Sequence, residues 1–376
     1  MVQPVLPRYD EGGLAGVLPA VVDSLGVTRE SGGPTLAPAD RAVVVLIDGL
    51  GLRLLERNRG HAPFMRAVLA ETRPLNVGFP TTTATSMGSF GTGLPPGIHG
   101  LTGYQVRDPE TGELFNELSW DFGPRPEQWQ PEPTWLQRAA ESGIATTMVA
   151  PAYFNGSGLT RAALRGAQFR SAGTLSKRVD ATLAALRADR RSLVYLYWGE
   201  LDRTGHVHGC TSAAWCTELE HVDAEMRRLA GSLPRGCSFT LVADHGMVDI
   251  PRDGRVDVAA DPELDSGVAV VGGEMRALQL YCEPGAADDV LDTWTERFGA
   301  QAWVRTREQA IADGWFGPVH ERVLPRIGDV VVAFHEPIGV VDSRVMRRVV
   351  IDLLGQHGSL TEDEIQVPMI HLPATS

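Results

Sequence analysis

The sequence predicts an α/β fold, with a mostly parallel central sheet flanked by helices and a small inserted α+β subdomain. Short apolar runs rich in β-branched residues alternate with longer segments whose apolar residues recur at helical spacing, which is typical of parallel strands joined by helices. From about Val268 the strand and helix signals become shorter and closer together. We therefore expect a main domain formed by residues 1–265 and 325–376, with residues 266–324 inserted as the subdomain.

Four apolar runs give the clearest strands of the main sheet, at residues 43–47, 146–149, 193–197 and 238–242. Helices are predicted at residues 133–142, 175–187 and 216–233, and in part of 53–70, which Pro63 interrupts. In the insertion, a strand at 274–281, a helix at 286–298 and a strand at 302–305 resemble a small β-α-β unit. A last strand at 329–334 and a Gly-His-rich segment leading to residue 365 are then expected to return the chain to the main domain.

Composition and charge limit the partners of the chain. Its 376 residues carry a formal net charge of −13, whereas binding to a nucleic-acid polymer needs a basic surface. A small phosphorylated substrate is compatible with this charge, because a bound metal ion can reverse the local potential. No stretch reaches the roughly 18 apolar residues of a membrane span, and residues 1–20 do not resemble a secretory signal. A homodimer is compatible with the sequence.

The spacing and number of the cysteines also indicate the cellular compartment of the protein. Cys210, Cys216, Cys237 and Cys282 have neither the spacing of a thiolate zinc site nor the density of a disulfide scaffold. We expect them to be inert thiols. Together with the missing signal and span, they indicate a cytoplasmic protein.

Three of the apolar runs lead into a carboxylate. Asp48 follows the first run, Asp202 lies shortly after the third, and Asp244 comes after the fourth. Ligands of open α/β sheets bind at the carboxyl ends of the strands, so these side chains can converge although they are far apart in sequence. Taken singly, an aspartate after a strand can instead be a turn residue or a helix N-cap.

Three histidines complete this pattern. His206 belongs to Asp-Arg-Thr-Gly-His, His245 follows the third aspartate directly, and His357 lies in Gln-His-Gly. Oxygen and nitrogen donors without thiolate suit zinc in a hydrolytic site, with manganese or iron as alternatives, and six ligands divide naturally over two ions. We expect His208 to have a structural or supporting role, because its side chain points away from that of His206, and His99 to fix a turn.

The candidate nucleophile lies in the segment Phe-Pro-Thr-Thr-Thr and the small residues after it. Pro80 fixes an extended entry, and a helix can begin directly afterwards. A hydroxyl in the first turn lies beside free backbone N–H groups at the positive end of the helix dipole, which suits a phosphoryl group. On this segment alone, the threonines could equally be helix caps. A threonine becomes a nucleophile when its proton is removed, and metal coordination can do this.

Five short motifs in this order resemble the nucleotide pyrophosphatase/phosphodiesterase branch of the alkaline-phosphatase superfamily. They are Ile-Asp-Gly, Pro-Thr-Thr-Thr with Thr-Gly-Leu and His-Gly after it, Asp-Arg-Thr-Gly-His, Ala-Asp-His-Gly-Met and a late His-Gly. The resemblance spans about residues 43–369 and implies an alkaline-phosphatase-like fold.

The resemblance also implies roles for individual residues. One zinc ion would be held by Asp48, Thr83, Asp244 and His245, and the other by Asp202, His206 and His357. Counting back from Thr-Gly-Leu, the family's nucleophile falls on Thr83. It would attack the phosphorus of a phosphodiester or pyrophosphate, and water would then hydrolyse the phosphothreonine.

The chain departs from the family pattern directly after the nucleophile. Eukaryotic-type members have Phe-Pro-Asn there, with the ring stacked on the nucleotide base and the asparagine bound to a phosphoryl oxygen, whereas this chain has Ala84 and Ser86 at those positions. Ser86 can still donate a hydrogen bond to substrate. Candidates for a different apolar wall, each with core packing as the alternative, are Tyr104, Tyr153, Phe154 and Trp198.

Other activities of the same fold are alternatives to a phosphodiesterase. A phosphomonoesterase or a phosphonate hydrolase would use the same ligands. A sulfatase is disfavoured because Thr83 lacks the Cys/Ser-x-Pro-x-Arg context, and a phosphoglycerate-mutase-like phosphotransferase would be expected to use serine. A catalytically silent protein that keeps its metals for structure is a further alternative, against which the retained Thr83 argues.

Overall fold

A computed structural model describes residues 2–9, 12–28, 33–69 and 73–375. Its strands are β1 (Arg41–Ile47), β2 (Arg73–Asn76), β3 (Gln105–Arg107), β4 (Leu114–Asn116), β5 (Ala145–Ala150), β6 (Gln168–Ser171), β7 (Ser192–Trp198), β8 (Cys237–Val242), β9 (Val248–Asp249), β10 (Arg255–Asp257), β11 (Val268–Glu274), β12 (Ala277–Cys282), β13 (Ala302–Thr306), β14 (Val330–Phe334), β15 (Gly339–Val341), β16 (Gly355–Gln356) and β17 (Gln366–Leu372). Its α-helices are α1 (Val17–Ser24), α2 (Leu52–Arg57), α3 (Pro63–Leu69), α4 (Thr83–Thr92), α5 (Pro96–His99), α6 (Pro126–Trp129), α7 (Trp135–Glu141), α8 (Gly158–Ala163), α9 (Leu175–Ala188), α10 (Glu200–His208), α11 (Ala213–Gly231), α12 (Pro262–Asp265), α13 (Ala287–Phe298), α14 (Arg307–Ala312), α15 (Arg348–Ile351) and α16 (Glu362–Ile365).

The main sheet has the strand order β2-β17-β8-β1-β7-β5-β6. Strands β8, β1, β7, β5 and β6 are parallel, and β17 runs antiparallel to both β8 and β2. All residues of β7 and β8 are buried, because helices such as α9 cover the faces of the sheet, and this is why they read as continuous apolar runs. The predicted α/β fold with a mostly parallel central sheet is confirmed.

The predicted elements of the main domain correspond to β1, β5, β7 and β8 and to α7, α9 and α11. The segment 53–70 forms two helices, α2 and α3, and the second begins at Pro63. Proline suits this first helical position because it has no N–H to lose. The end of that predicted segment, position 70, lies outside the described residues.

The small subdomain is built on an antiparallel sheet with the order β11-β12-β14-β13. Helix α13 packs against β13, and its Trp294 and Phe298 form a separate apolar core with Phe334. The predicted strand 274–281 corresponds to β12, which begins at Ala277, while Glu274 is the last residue of β11, the hairpin partner of β12.

Residues 329–334 do not yet return the chain to the main domain, whereas the Gly-His-rich segment after them leads into β17 of the main sheet. The predicted strand forms β14, which pairs antiparallel with β12 on one side and with β13 on the other. The β-α-β unit leaves a gap between its two parallel strands, and β14 fills that gap with buried apolar side chains. We therefore propose that the small subdomain continues to about Phe334 instead of ending at residue 324.

Candidate active site

Three side chains meet at the carboxyl edge of the main sheet, and we call Asp48, Asp244 and His245 the first ligand group. Asp48 follows β1 and the other two follow β8, so the parallel pairing of these neighbouring strands brings them together. One donor atom of each lies within 4.8 Å of the others. His245 Nε2 is 3.4 Å from Asp48 Oδ1 and 3.6 Å from Asp244 Oδ2.

Gly49 allows the end of β1 to approach α10 closely. Its φ of 73° lies in the left-handed region, and a Cβ added there would lie 2.9 Å from the Cβ of Asp202. A side chain at this position would therefore push the end of β1 and helix α10 apart. The glycine of the Ile-Asp-Gly motif brings the first ligand group beside the next set of ligands.

The second ligand group consists of Asp202, His206 and His357, whose donor atoms also lie within 4.8 Å of one another. Asp202 and His206 are one turn apart on α10, with Oδ2 and Nε2 separated by 3.3 Å. His206 Nδ1 lies 2.7 Å from the carbonyl of Gly355, and His357 Nδ1 lies 2.8 Å from that of Thr81. A proton on each Nδ1 is donated to the carbonyl, which leaves each Nε2 free to bind a metal.

The two ligand groups adjoin. The rings of His245 and His357 stack with centroids 3.7 Å apart and an interplanar angle of 18°. Among the described residues, no hydrogen-bond partner reaches Asp48 Oδ1, Asp202 Oδ1 or Asp244 Oδ2, although all three oxygens are buried. Buried and unsatisfied carboxylate oxygens are costly, and cations would satisfy them. The residues present therefore fit a pair of metal ions.

The electrostatics of the site reflect this concentration of acids. Burial and the nearby carboxylates of Asp244 and Asp202 raise the pKa of Asp48 well above its usual range, and burial likewise raises the pKa of Asp244. Burial also raises the pKa of Asp202, but the adjacent imidazoles, His206 first, lower it by more. Burial and the charge of a neighbouring imidazole hold the pKa of His357 well below its usual range.

Thr83 lies at the first ligand group. It is the first residue of α4, and its Oγ1 is 3.3 Å from His245 Nε2 and 3.5 Å from Asp48 Oδ2. The side chain of Thr82, the N-cap, makes no capping hydrogen bond within the described part of the chain, so the first-turn N–H groups are not occupied by it.

The hydroxyl of Thr81, unlike that of Thr83, makes its hydrogen bonds away from the first ligand group. It donates to the carbonyl of Ser359 at 3.0 Å and accepts from the N–H of Gly358 at 2.9 Å. These bonds tie the segment before α4 to the segment that carries His357.

Two cavities meet beside Thr83. Cavity A, of about 420 Å³, extends past the second ligand group and has a mostly apolar lining that includes Met275, Met346 and Leu353. Cavity B, of about 440 Å³, extends past Asp48 to a wall that includes Phe154. Both cavities are lined by Thr83, Leu118 and Asp202.

The predicted substrate-binding residues divide into two sets. Tyr104 lines cavity A, while Tyr153 and Phe154 line cavity B with their rings packed edge to face, centroids 4.9 Å apart. Ser86 does not fit its predicted role, because it is fully buried and its hydroxyl donates to the carbonyl of Asp244 at 2.6 Å. Trp198 is also a packing residue, buried and bonded through Nε1 to Glu218.

Of two further histidines, His99 has the role expected from the sequence, while the structural or supporting role expected of His208 stays a prediction. His99 is buried, and its Nδ1 accepts from the N–H of Leu101, which fixes the turn after α5. Burial lowers the pKa of His99 to about 3. His208 is exposed at the end of α10 and belongs to neither ligand group.

Sequence reasoning missed Tyr197 and Glu274. The Tyr197 hydroxyl donates to Asp48 Oδ2 at 2.5 Å, and the Glu274 carboxylate lies beside His357. A tyrosine near the end of a buried strand was the only signal for the first. No sequence pattern marked Glu274, because its place depends on how the small subdomain packs against the main domain.

The fold and the two ligand groups define the class of protein. It is an α/β protein with a candidate metal-binding cluster at the carboxyl edge of a mostly parallel sheet. The family described as Type I phosphodiesterase / nucleotide pyrophosphatase matches residues 42–360. The chain belongs to this family, which confirms the resemblance of the motifs.

The individual proteins that resemble this chain have low sequence identity to it. Venom phosphodiesterase 2 of Crotalus adamanteus is 28% identical over 204 residues, which is 51% of this chain and 23% of that protein. The chain thus spans about a quarter of the length of this relative. Murine ectonucleotide pyrophosphatase / phosphodiesterase 5 has a similar structure, with a TM-score of 0.69, 18% identity and 87% of each chain covered.

Phosphonoacetate hydrolase from Sinorhizobium meliloti 1021, in complex with phosphonoformate, is also similar, with a TM-score of 0.70, 20% identity and 92% of each chain covered. At this level of identity both structures support the fold, which agrees with the topology of the main sheet.

Proposed function

We propose that this chain is a two-zinc phosphodiesterase that uses Thr83 as its nucleophile. The proposal depends on one observation above all: the two ligand groups adjoin, and the Thr83 hydroxyl lies at the first of them. Six oxygen and nitrogen donors without thiolate suit zinc, with manganese or iron as alternatives. When bound, two such ions would neutralise phosphoryl charge and favour ionisation of a hydroxyl.

The residues of the chain would act in two stages. Thr83 Oγ1 attacks phosphorus from the first ligand group, and the bond from phosphorus to the leaving oxygen breaks on the side of the second group. The N-terminus of α4 stabilises the phosphoryl oxygens through its dipole and first-turn N–H groups. Water then attacks the phosphothreonine, which restores the Thr83 hydroxyl and releases the second product.

The two cavities support a diester substrate. A phosphodiester carries an organic group on each side of phosphorus, and cavities A and B offer separate space for the two groups on either side of Thr83. Among the described lining residues, Arg203 is the only cationic side chain besides histidine. A dianionic monoester would gain little from such apolar surroundings.

Substitution of the nucleophile tests the proposal directly. We expect Thr83→Ala to reduce hydrolysis of bis-p-nitrophenyl phosphate by at least about 10³-fold while zinc binding is retained. Thr85→Ala is the matched control, because it removes the same hydroxyl from a buried position on the same helix. An active Thr83→Ala variant would refute the proposed nucleophile.

Substrate comparison tests the diester preference. We expect kcat/KM for bis-p-nitrophenyl phosphate to exceed that for p-nitrophenyl phosphate. A strong monoester preference, or turnover of phosphonates alone, would favour the phosphomonoesterase or phosphonate hydrolase instead. Zinc retained without any hydrolysis would favour the silent metal-binding protein.

A cytoplasmic location is part of the proposal. All four cysteines carry free thiols, as expected in a reducing compartment. Within the ranges that the structure describes, none of the helices combines the length and apolar character needed to cross a bilayer. Fractionation of cells that produce the protein would test this location.

A further inference from the structure

We propose that Glu274 is a positioning residue for His357, so that the small subdomain completes the second ligand group. This inference rests on the two-metal site proposed above. Glu274 ends β11, and its Oε2 lies 3.5 Å from His357 Nδ1. The Nδ1 proton is donated to the carbonyl of Thr81, so the Glu274 carboxyl group packs beside the ring instead of accepting a second hydrogen bond. Burial raises the pKa of Glu274 well above its usual range, and a cation bound at the second ligand group would favour the carboxylate form.

A charge in this position has a known physical effect on an imidazole ligand. A carboxylate beside the outer nitrogen favours the tautomer protonated there and increases electron density at the nitrogen that faces the metal. In His357 the facing nitrogen is Nε2. Glu274 therefore strengthens the one ligand of the second group that α10 does not carry.

The backbone beside His357 packs directly against the Glu274 side chain at Gly358. Gly358 follows His357 directly and has a φ of 134°. A Cβ added there would lie 2.8 Å from Glu274 Cγ and 3.0 Å from Cδ. The chain beside His357 thus has no room for a side chain, because Glu274 occupies that space.

A second contact of the same hairpin holds the other end of the segment. Arg276 forms a buried, bidentate ion pair with Glu364, with Nε–Oε1 and Nη2–Oε2 distances of 3.0 and 2.8 Å. Glu364 also accepts from the N–H of Ser359 at 3.0 Å. The hairpin between β11 and β12 therefore holds residues 357–364 at both ends, through Glu274 beside His357 and through Arg276 paired with Glu364.

Stepwise zinc titration of the chelator-treated, full-length protein tests the inference. Glu274→Gln keeps the size of the side chain but cannot form the carboxylate that a bound ion would favour. We expect it to weaken one of the two zinc-binding steps by about 10- to 100-fold and to leave the other unchanged. Glu274→Ala should weaken the same step at least as much. Glu283→Gln, which removes an exposed charge from the same subdomain, should change neither step.

Three outcomes would contradict the inference. If both zinc-binding steps in both Glu274 variants stay within about twofold of the wild type, Glu274 does not position the ligand. If both steps weaken together and the Tm of the metal-free protein falls, Glu274 serves the fold as a whole. If the wild type binds fewer than two zinc ions, the proposed two-metal function fails first, and this inference with it.

Discussion

The two ligand groups are built in different ways. The first comes from the ends of two hydrogen-bonded parallel strands, β1 and β8, and its side chains are 0–4% exposed. The second combines α10 with a segment held by the small subdomain, and its side chains are 9–21% exposed. The sheet thus fixes the half of the site that holds the nucleophile, whereas tertiary contacts assemble the half that faces cavity A. We expect the first half to be the more rigid of the two.

Ligand substitutions should give the largest difference between the groups. We expect Asp244→Asn to reduce kcat/KM for a diester by at least about 10³-fold at any zinc concentration, because it disrupts the group that contacts Thr83. Asp202→Asn should cause a smaller loss, and added zinc should partly reverse it. Measurement of kcat/KM against free zinc checks both. Equal losses that zinc does not reverse would remove the distinction between the groups.

Tyr197→Phe should weaken the first group alone. This substitution removes the hydrogen bond to Asp48, and bonds to charged groups contribute about 1.5–3 kcal/mol, or roughly a 10- to 100-fold change in zinc affinity. Tyr195→Phe is the matched control, because Tyr195 is also buried in β7 but its hydroxyl lies against the Met87 sulfur. Similar losses of affinity in both variants would argue against a specific role of Tyr197.

The metal-free protein should lose stability as pH rises above the usual carboxyl range. The pKa of Asp48 is raised in the folded state, so its contribution to stability is complete below the unfolded-state pKa and is lost as pH rises through the folded-state pKa. Each ionising group can cost up to about 1.4 kcal/mol per pH unit in that window.

The measurement is the Tm of chelator-treated wild type and Asp48→Asn between pH 5 and pH 8. The wild type should lose more stability over this range than the variant, since the variant cannot ionise at position 48. Identical pH profiles would show that Asp48 ionises normally in the folded protein.

Ser86→Ala should have the smallest effect on catalysis. It removes a buried hydrogen bond to the Asp244 carbonyl and should cost about 1 kcal/mol of unfolding free energy, with kcat/KM changed by less than about threefold. Urea denaturation and diester kinetics measure the two quantities. A tenfold fall in kcat/KM at unchanged stability would restore Ser86 as a substrate-binding residue.

The main sheet and most of the candidate ligands could be predicted because their signals are local. A fully buried parallel strand reads as an apolar run, and the residue where it surfaces follows directly, as with Asp48. The place of β14 could not be predicted in this way, since its apolar sequence suits either sheet and only packing decides between them.

The contacts of side chains that are placed by tertiary packing could also not be predicted from local sequence patterns. Ser86 was expected to donate to substrate because it stands at the position of the family's phosphoryl-binding asparagine, but the rotation of α4 directs it toward Asp244. The contact of Glu274 with His357 depends on the docking of one subdomain on another. Neither outcome is encoded by residue type or spacing near the position itself.

The stacked rings of His245 and His357 have a consequence for the order in which ions are acquired. Neither ring can swing about its Cβ–Cγ bond without displacing the other, because only 3.7 Å separates their centroids. An ion that immobilises His245 therefore also narrows the orientations open to His357, so less rotational entropy remains to be lost at the second step. We expect the two metal ions to bind cooperatively, the first of them at the more deeply buried first ligand group.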